Sequence, residues 1–96
     1  MEYRVWIVVA DMPFRDEAKW LPLVERLERE RPEFGPVASW DDEATMVLTL
    51  AHDEPDRAAA AESATRVVGE ALRATALADH FPVVFRVEPA ADLIAA

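Results

Sequence analysis

Two periodicities alternate along this chain, and their order constrains its fold more than any other feature. Apolar residues recur at every second position over Tyr3 to Ala10, Val37 to Trp40, Ala44 to Ala51 and Val83 to Val87, the spacing of half-buried strands. They recur at helical spacing over roughly Trp20 to Glu30 and Pro55 to Ala78. The order is therefore βαββαβ. Two right-handed crossovers joined by a hairpin close a four-stranded antiparallel sheet in the order 4-1-3-2, with both helices on one face, an α+β sandwich. The 96 residues suffice for one domain, expected over residues 1–88 with a tail at 89–96, and for a core that needs no metal or disulfide. In the tail, Leu93 and Ile94 are expected to pack locally or stay loose.

Local signals set the expected details. Asp16 is a reasonable N-cap, but Pro22 breaks an established helix, so the first helix is expected to begin near Leu21. Trp20, Leu23, Val24 and Leu27 then form one apolar stripe against the sheet. With Asp42-Glu43 as the hairpin tip, Trp40 opposes Thr45 and Ala38 opposes Val47. Asp53 is the expected N-cap of the second helix, with Pro55 in its first turn and Ala64, Val67, Val68, Ala71, Leu72 and Thr75 as its buried stripe. In the last strand Val83, Phe85 and Val87 are expected inward, and Val84, Arg86 and Glu88 outward.

Composition removes whole classes of chemistry. There is no cysteine, so disulfides, thiolate metal sites and cysteine nucleophiles are out, which fits a cytoplasmic setting. Asn and Gln are absent too, removing side-chain amides as oxyanion or substrate holders. A net charge of −9, from 19 acidic and 10 basic residues, argues against nucleic acid, because phosphate-backbone affinity comes from Lys and Arg displacing counterions. The N-terminus is expected to run directly into a strand without a secretory leader, and no apolar run is long enough to span a membrane.

Two helices cover one sheet face, so the other must account for its own residues. That open face is expected to carry Arg4, Trp6, Val8, Ala38, Trp40, Thr45, Val47, Thr49, Val84, Arg86 and Glu88, more apolar than a solvated sheet requires. Of these, Arg4, Trp6, Val8, Trp40, Thr45, Val47 and Arg86 are the candidate interface. The loop after the first strand, the hairpin tip and the loop before the last strand share one end, gathering Asp11, Asp16, Asp41, Asp42, Glu43, Asp79 and His80. Their spacing matches no metal-binding loop, so only weak, non-selective cation association is expected, and no cofactor. His52 and His80 belong at opposite ends and cannot share a site. Ser39 and Ser63 lack a His and Asp at triad spacing, and the only glycines, Gly35 and Gly69, make no phosphate loop.

The element order resembles the ferredoxin-like superfold over nearly the whole chain, a fold that hosts many unrelated activities. Its better-defined families lack their markers here. Acylphosphatases use an Asn that this chain does not contain. The RNA-recognition motif needs aromatic consensus strands, unlike Val83 to Val87 and Ala44 to Leu50. Heavy-metal-associated domains need a Cys pair where Ala10-Asp11-Met12-Pro13 stands, and ACT domains usually place a glycine in the loop Asp11 to Asp16. Dimeric α/β-barrel proteins pair two such sheets face to face, which fits an apolar open face. The stretch Gly35 to Glu43, followed by Thr45 to Leu50 and the Ala-rich segment Asp56 to Leu77, is similar to short proteins of high-GC bacteria with no assigned activity. The resulting expectation is a non-enzymatic interaction module, a homodimer or a binder of another protein. A small-molecule-binding or enzymatic barrel and an acidic inhibitor are the alternatives.

Overall fold

In the computed structural model, which describes residues 1–90, the elements are β1 (Glu2–Val9), α1 (Glu17–Glu30), β2 (Val37–Asp42), β3 (Thr45–Asp53), α2 (Arg57–Arg73) and β4 (Val83–Pro89), with a short 3-10 turn at Pro32–Phe34. The strands form one antiparallel sheet in the order β2-β3-β1-β4, the expected order read from the opposite edge. The arrangement is consistent with a ferredoxin-like sandwich. Leu93 and Ile94 lie outside the described residues.

One sheet face and two helix stripes make the core. Tyr3, Val5, Ile7 and Val9 of β1 alternate inward, as do Met46, Leu48 and Leu50 of β3. Leu23 and Leu27 of α1 and the run Ala60, Ala64, Val67, Val68, Ala71 and Leu72 of α2 close over them. Full burial of a leucine contributes about 2–3 kcal/mol, so this alternation holds the register. A one-residue slip in β1 or β3 would expose a whole set at once.

Three helix boundaries differ from expectation. The first helix begins at Glu17 and runs through Pro22. Proline removes a single N–H, the one that would have reached the Ala18 carbonyl, and both residues lie on the exposed side, where water can take that carbonyl. Trp20 also secures the first turn by donating its indole N–H to the Phe14 carbonyl at 2.9 Å. The cap of α2 is Asp56, not Asp53: its carboxylate accepts the Ala59 N–H at 2.8 Å. Asp53 instead closes β3 opposite Glu2 and meets the Met1 ammonium at 2.7 Å, so the ladder claims it first. Finally, α2 ends at Arg73 rather than Ala78, and the Thr75 hydroxyl donates back to the Ala71 and Leu72 carbonyls at 3.0 and 3.2 Å.

Candidate functional site

Two irregularities decide which side chains reach the uncovered face. In the hairpin, Asp42 pairs with Thr45, the two-residue turn is Glu43-Ala44, and the register shifts by one residue between Trp40 and Asp42. The Asp42 carboxylate accepts the Ala44 N–H at 2.7 Å, closing the turn one residue later than expected. Ser39 therefore opposes Val47 and Val37 opposes Thr49, while Ala38 and Trp40 oppose Leu48 and Met46. Trp40 leaves the candidate interface, and Ala38 the open face, for the helix side, a correction that follows from parity: one extra residue turns over everything beyond it.

There Trp40 packs edge-on against Phe14 and Trp20, with centroids 4.9 and 5.3 Å away. The trio fastens the start of α1 to the edge of the sheet.

In β4 the register shifts between Trp6 and Ile7, with Phe85 as the extra residue. Val84 and Val87 face Ile7 and Val5 on the core side, and Arg86, Glu88 and Val83 face Trp6, Arg4 and Val8 on the open side. The expected inward Val83 and Phe85 and outward Val84 are thus reversed. Val83 and Phe85 are both 56% exposed, and Val37 is 57% exposed. Val37 reaches the open face through the hairpin shift, and Val83 and Phe85 through the β4 bulge, which no residue type announces in a run as uniform as Val83-Val84-Phe85.

Read across the strands, the open face has ordered rows. Arg4 lies beside Glu88; Val37, Thr49, Trp6 and Arg86 follow; then come Ser39, Val47, Val8 and Val83. Thr45 and Asp41 follow toward the hairpin. Of the seven candidate interface residues, Arg4, Trp6, Val8, Thr45, Val47 and Arg86 share this face, and Trp40 does not. The Arg86 guanidinium sits 4.4 Å above the Trp6 ring and donates to the Glu88 carboxylate at 2.9 Å. Val8, Val47, Phe85 and Asp41 line a shallow depression of about 290 Å³.

At the hairpin end, Val8 and Val83 run into a cleft of about 330 Å³ lined also by Asp11, Asp79, His80 and the exposed Phe81. Asp11 holds a left-handed backbone at φ 59°. The His80 Nδ1 lies 3.1 Å from the Ala10 carbonyl, which can only accept, so Nδ1 carries the proton. Nearby, Arg15 pairs with Glu43 at 2.9 Å and the Met12 N–H reaches the Ala44 carbonyl, so the β1 loop and the hairpin meet as expected. Among the described residues no three His, Asp or Glu side chains converge to hold a metal ion.

His52 lies at the other end, opposite Tyr3, stacked on Phe34 at 4.2 Å with Nδ1 2.7 Å from the Glu54 carboxylate. That contact packs the 3-10 turn onto the sheet. Ser39 donates its hydroxyl to the Val47 carbonyl at 3.4 Å, a strand-edge bond without a base beside it. Among the described residues no helix is long and apolar enough to cross a membrane. Comparison with protein-family models, with curated proteins and with solved structures finds no match to the chain.

Proposed function

We propose that this chain is a ferredoxin-like interaction module that works in the cytoplasm by associating with a second copy of itself through its open sheet face. One observation carries the reading: Val37, Val83 and Phe85, each more than half exposed, extend the apolar rows of Trp6, Val8 and Val47 across a face that neither helix covers. Contiguous apolar surface of this kind on a small domain marks an interaction site. The net charge of −9 favours a protein partner over nucleic acid, and the absence of cysteine fits a reducing compartment.

Sedimentation or light scattering tests this directly. The expected mass is near twice 10.7 kDa, and Trp6→Glu with Val47→Glu should dissociate the pair, since unpaired charge at the centre of an interface is costly. Trp40→Phe, on the helix side, should leave the mass unchanged. A parent chain that stays monomeric up to about millimolar concentration, or a dimer indifferent to the two glutamates, overturns self-association through this face. A monomer would leave the face to another protein.

The depression beside Val8, Val47, Asp41 and Phe85 favours a second reading, a dimeric α/β barrel that holds a small molecule between paired sheets. A facing sheet would roof it. Native mass spectrometry separates the two, because a retained small molecule favours the barrel and an empty dimer favours the module.

A further inference from the structure

Two concavities adjoin at Val8, at the hairpin end of the open face. The larger, about 330 Å³, has Val8, Phe81 and Val83 as apolar walls and Asp11, Asp79 and His80 as its polar groups. The other, about 290 Å³, continues over Val47 and Phe85 to Asp41. Apolar walls with a few convergent polar groups, at a volume near the lower end of the ligand-site range of about 300–1,000 Å³, describe a place for a small molecule.

The polar groups specify its chemistry. The Ala10 carbonyl accepts from His80 Nδ1 at 3.1 Å, which leaves Nε2 of the neutral ring as a bare acceptor. Asp79 Oδ1 stands 3.8 Å from that nitrogen, too far for a hydrogen bond, and the His80 side chain is only 16% exposed. Among the described residues nothing donates to Nε2. Two acceptors side by side in a sheltered cleft call for a donor that reaches both, and a charged N–H donor, whose bonds run about 2.7–2.9 Å, spans that gap from a single nitrogen. The protein's own cations nearby are engaged elsewhere: Arg15 pairs with Glu43, and Arg86 lies over Trp6 and bonds Glu88. A metal ion does not suit the cleft, since among the described residues no three ligating side chains converge and the walls are apolar.

We propose that this cleft binds a small primary amine with an apolar body, the ammonium bridging His80 Nε2 and Asp79 and the body lying over Val8 and Val83 toward Phe85. Every wall belongs to one chain, so the site goes beyond the reading of the open face as an association surface and does not depend on a second copy. Asp11 and Asp41 add to the field that draws a cation in, within a molecule of net charge −9. A quaternary ammonium on the same body has no N–H to place between the two acceptors, and a carboxylate on that body meets like charge. Selectivity therefore lies in the head group.

Protein NMR at constant ionic strength tests the site with three probes that share one body: phenethylamine, its trimethylammonium analogue and hydrocinnamate. Phenethylamine should shift the Val8 and Val83 methyls and the His80 ring saturably. The trimethylammonium analogue should bind about tenfold or more weakly, for want of charge-assisted hydrogen bonds. Hydrocinnamate and ammonium chloride should leave the same signals in place. Two variants, their folding checked by circular dichroism, should lose about tenfold or more in phenethylamine affinity. Asp79→Asn removes the charge and offers its own N–H to Nε2, and Val83→Lys, at a position 56% exposed, brings a competing ammonium to the cleft. No saturation up to about 10 mM amine, equal shifts from the quaternary probe, or unchanged affinity in Asp79→Asn overturns the site. So does a His80 ring protonated on both nitrogens in the free protein at neutral pH, which would make Nε2 itself the donor to Asp79. Light scattering in parallel keeps the two readings apart. A monomeric parent that binds the amine overturns self-association and leaves the site standing, and a dimer indifferent to the amine does the reverse.

Discussion

The two glycines serve opposite purposes, and the difference is visible in one dihedral each. Gly35 ends the 3-10 turn in the left-handed region, at φ 52°, donating its N–H to the Pro32 carbonyl at 3.0 Å before the chain enters β2. A β-carbon there would meet nothing within 4 Å, so the cost of Gly35→Ala is conformational alone, about 1–2 kcal/mol. Gly69 is buried in α2 with ordinary helical geometry, and a β-carbon would come 3.4 Å from the mobile end of Arg73. Gly69→Ala should stabilise the protein by about 0.5–1 kcal/mol, because alanine restricts the unfolded chain more than glycine does. Chemical denaturation of the two variants should give opposite signs. Equal signs would mean that Arg73 cannot yield, or that the 35 position relaxes out of its left-handed well.

Among the elements, the β2–β3 hairpin places the surface residues, and its turn rests on a carboxylate. The Ala44 N–H, with a further contribution from the Thr45 hydroxyl, holds the Asp42 carboxyl below its ordinary value of 3.8. A depressed carboxyl contributes stability that is present above its unfolded value and is lost as pH falls through the folded one. The loss therefore belongs below about pH 4. Asp42→Ala should lower stability near neutral pH and flatten the acid limb of the stability curve, read from melting temperatures between pH 7 and pH 2. An acid limb of unchanged steepness would show that the turn does not depend on the ionised carboxylate. The same turn decides whether Trp40 packs on Phe14 and Trp20 or stands on the open face, so the variant's tryptophan emission also reports on the hairpin register.

At the scale of the whole molecule, a net charge of −9 in one small domain means self-repulsion, concentrated where Asp11, Asp41, Asp42 and Asp79 share an end. Added salt should raise the melting temperature gradually by screening. Calcium or magnesium at matched ionic strength should add no saturable stabilisation, because among the described residues no three ligating side chains converge. Saturation at micromolar metal, abolished by Asp41→Ala with Asp79→Ala, would reveal a site that forms around the ion.

The sequence by itself determined the element order, the sheet order and the inward residues of β1, β3 and both helices. Their alternation and helical stripes are local and long enough that only one phase buries them. It also placed Arg4, Trp6, Val8, Thr45, Val47 and Arg86 on one face. What it left open was decided by single residues of register. Asp41 in the hairpin and Phe85 in β4 are each one residue too many for their ladder, and each turns over the strand beyond it. Trp40 could lie on either face until the Asp42 carboxylate took the Ala44 N–H, and Val83 and Val84 are interchangeable until β4 meets β1. Those choices depend on partners far along the chain, so only the assembled sheet makes them.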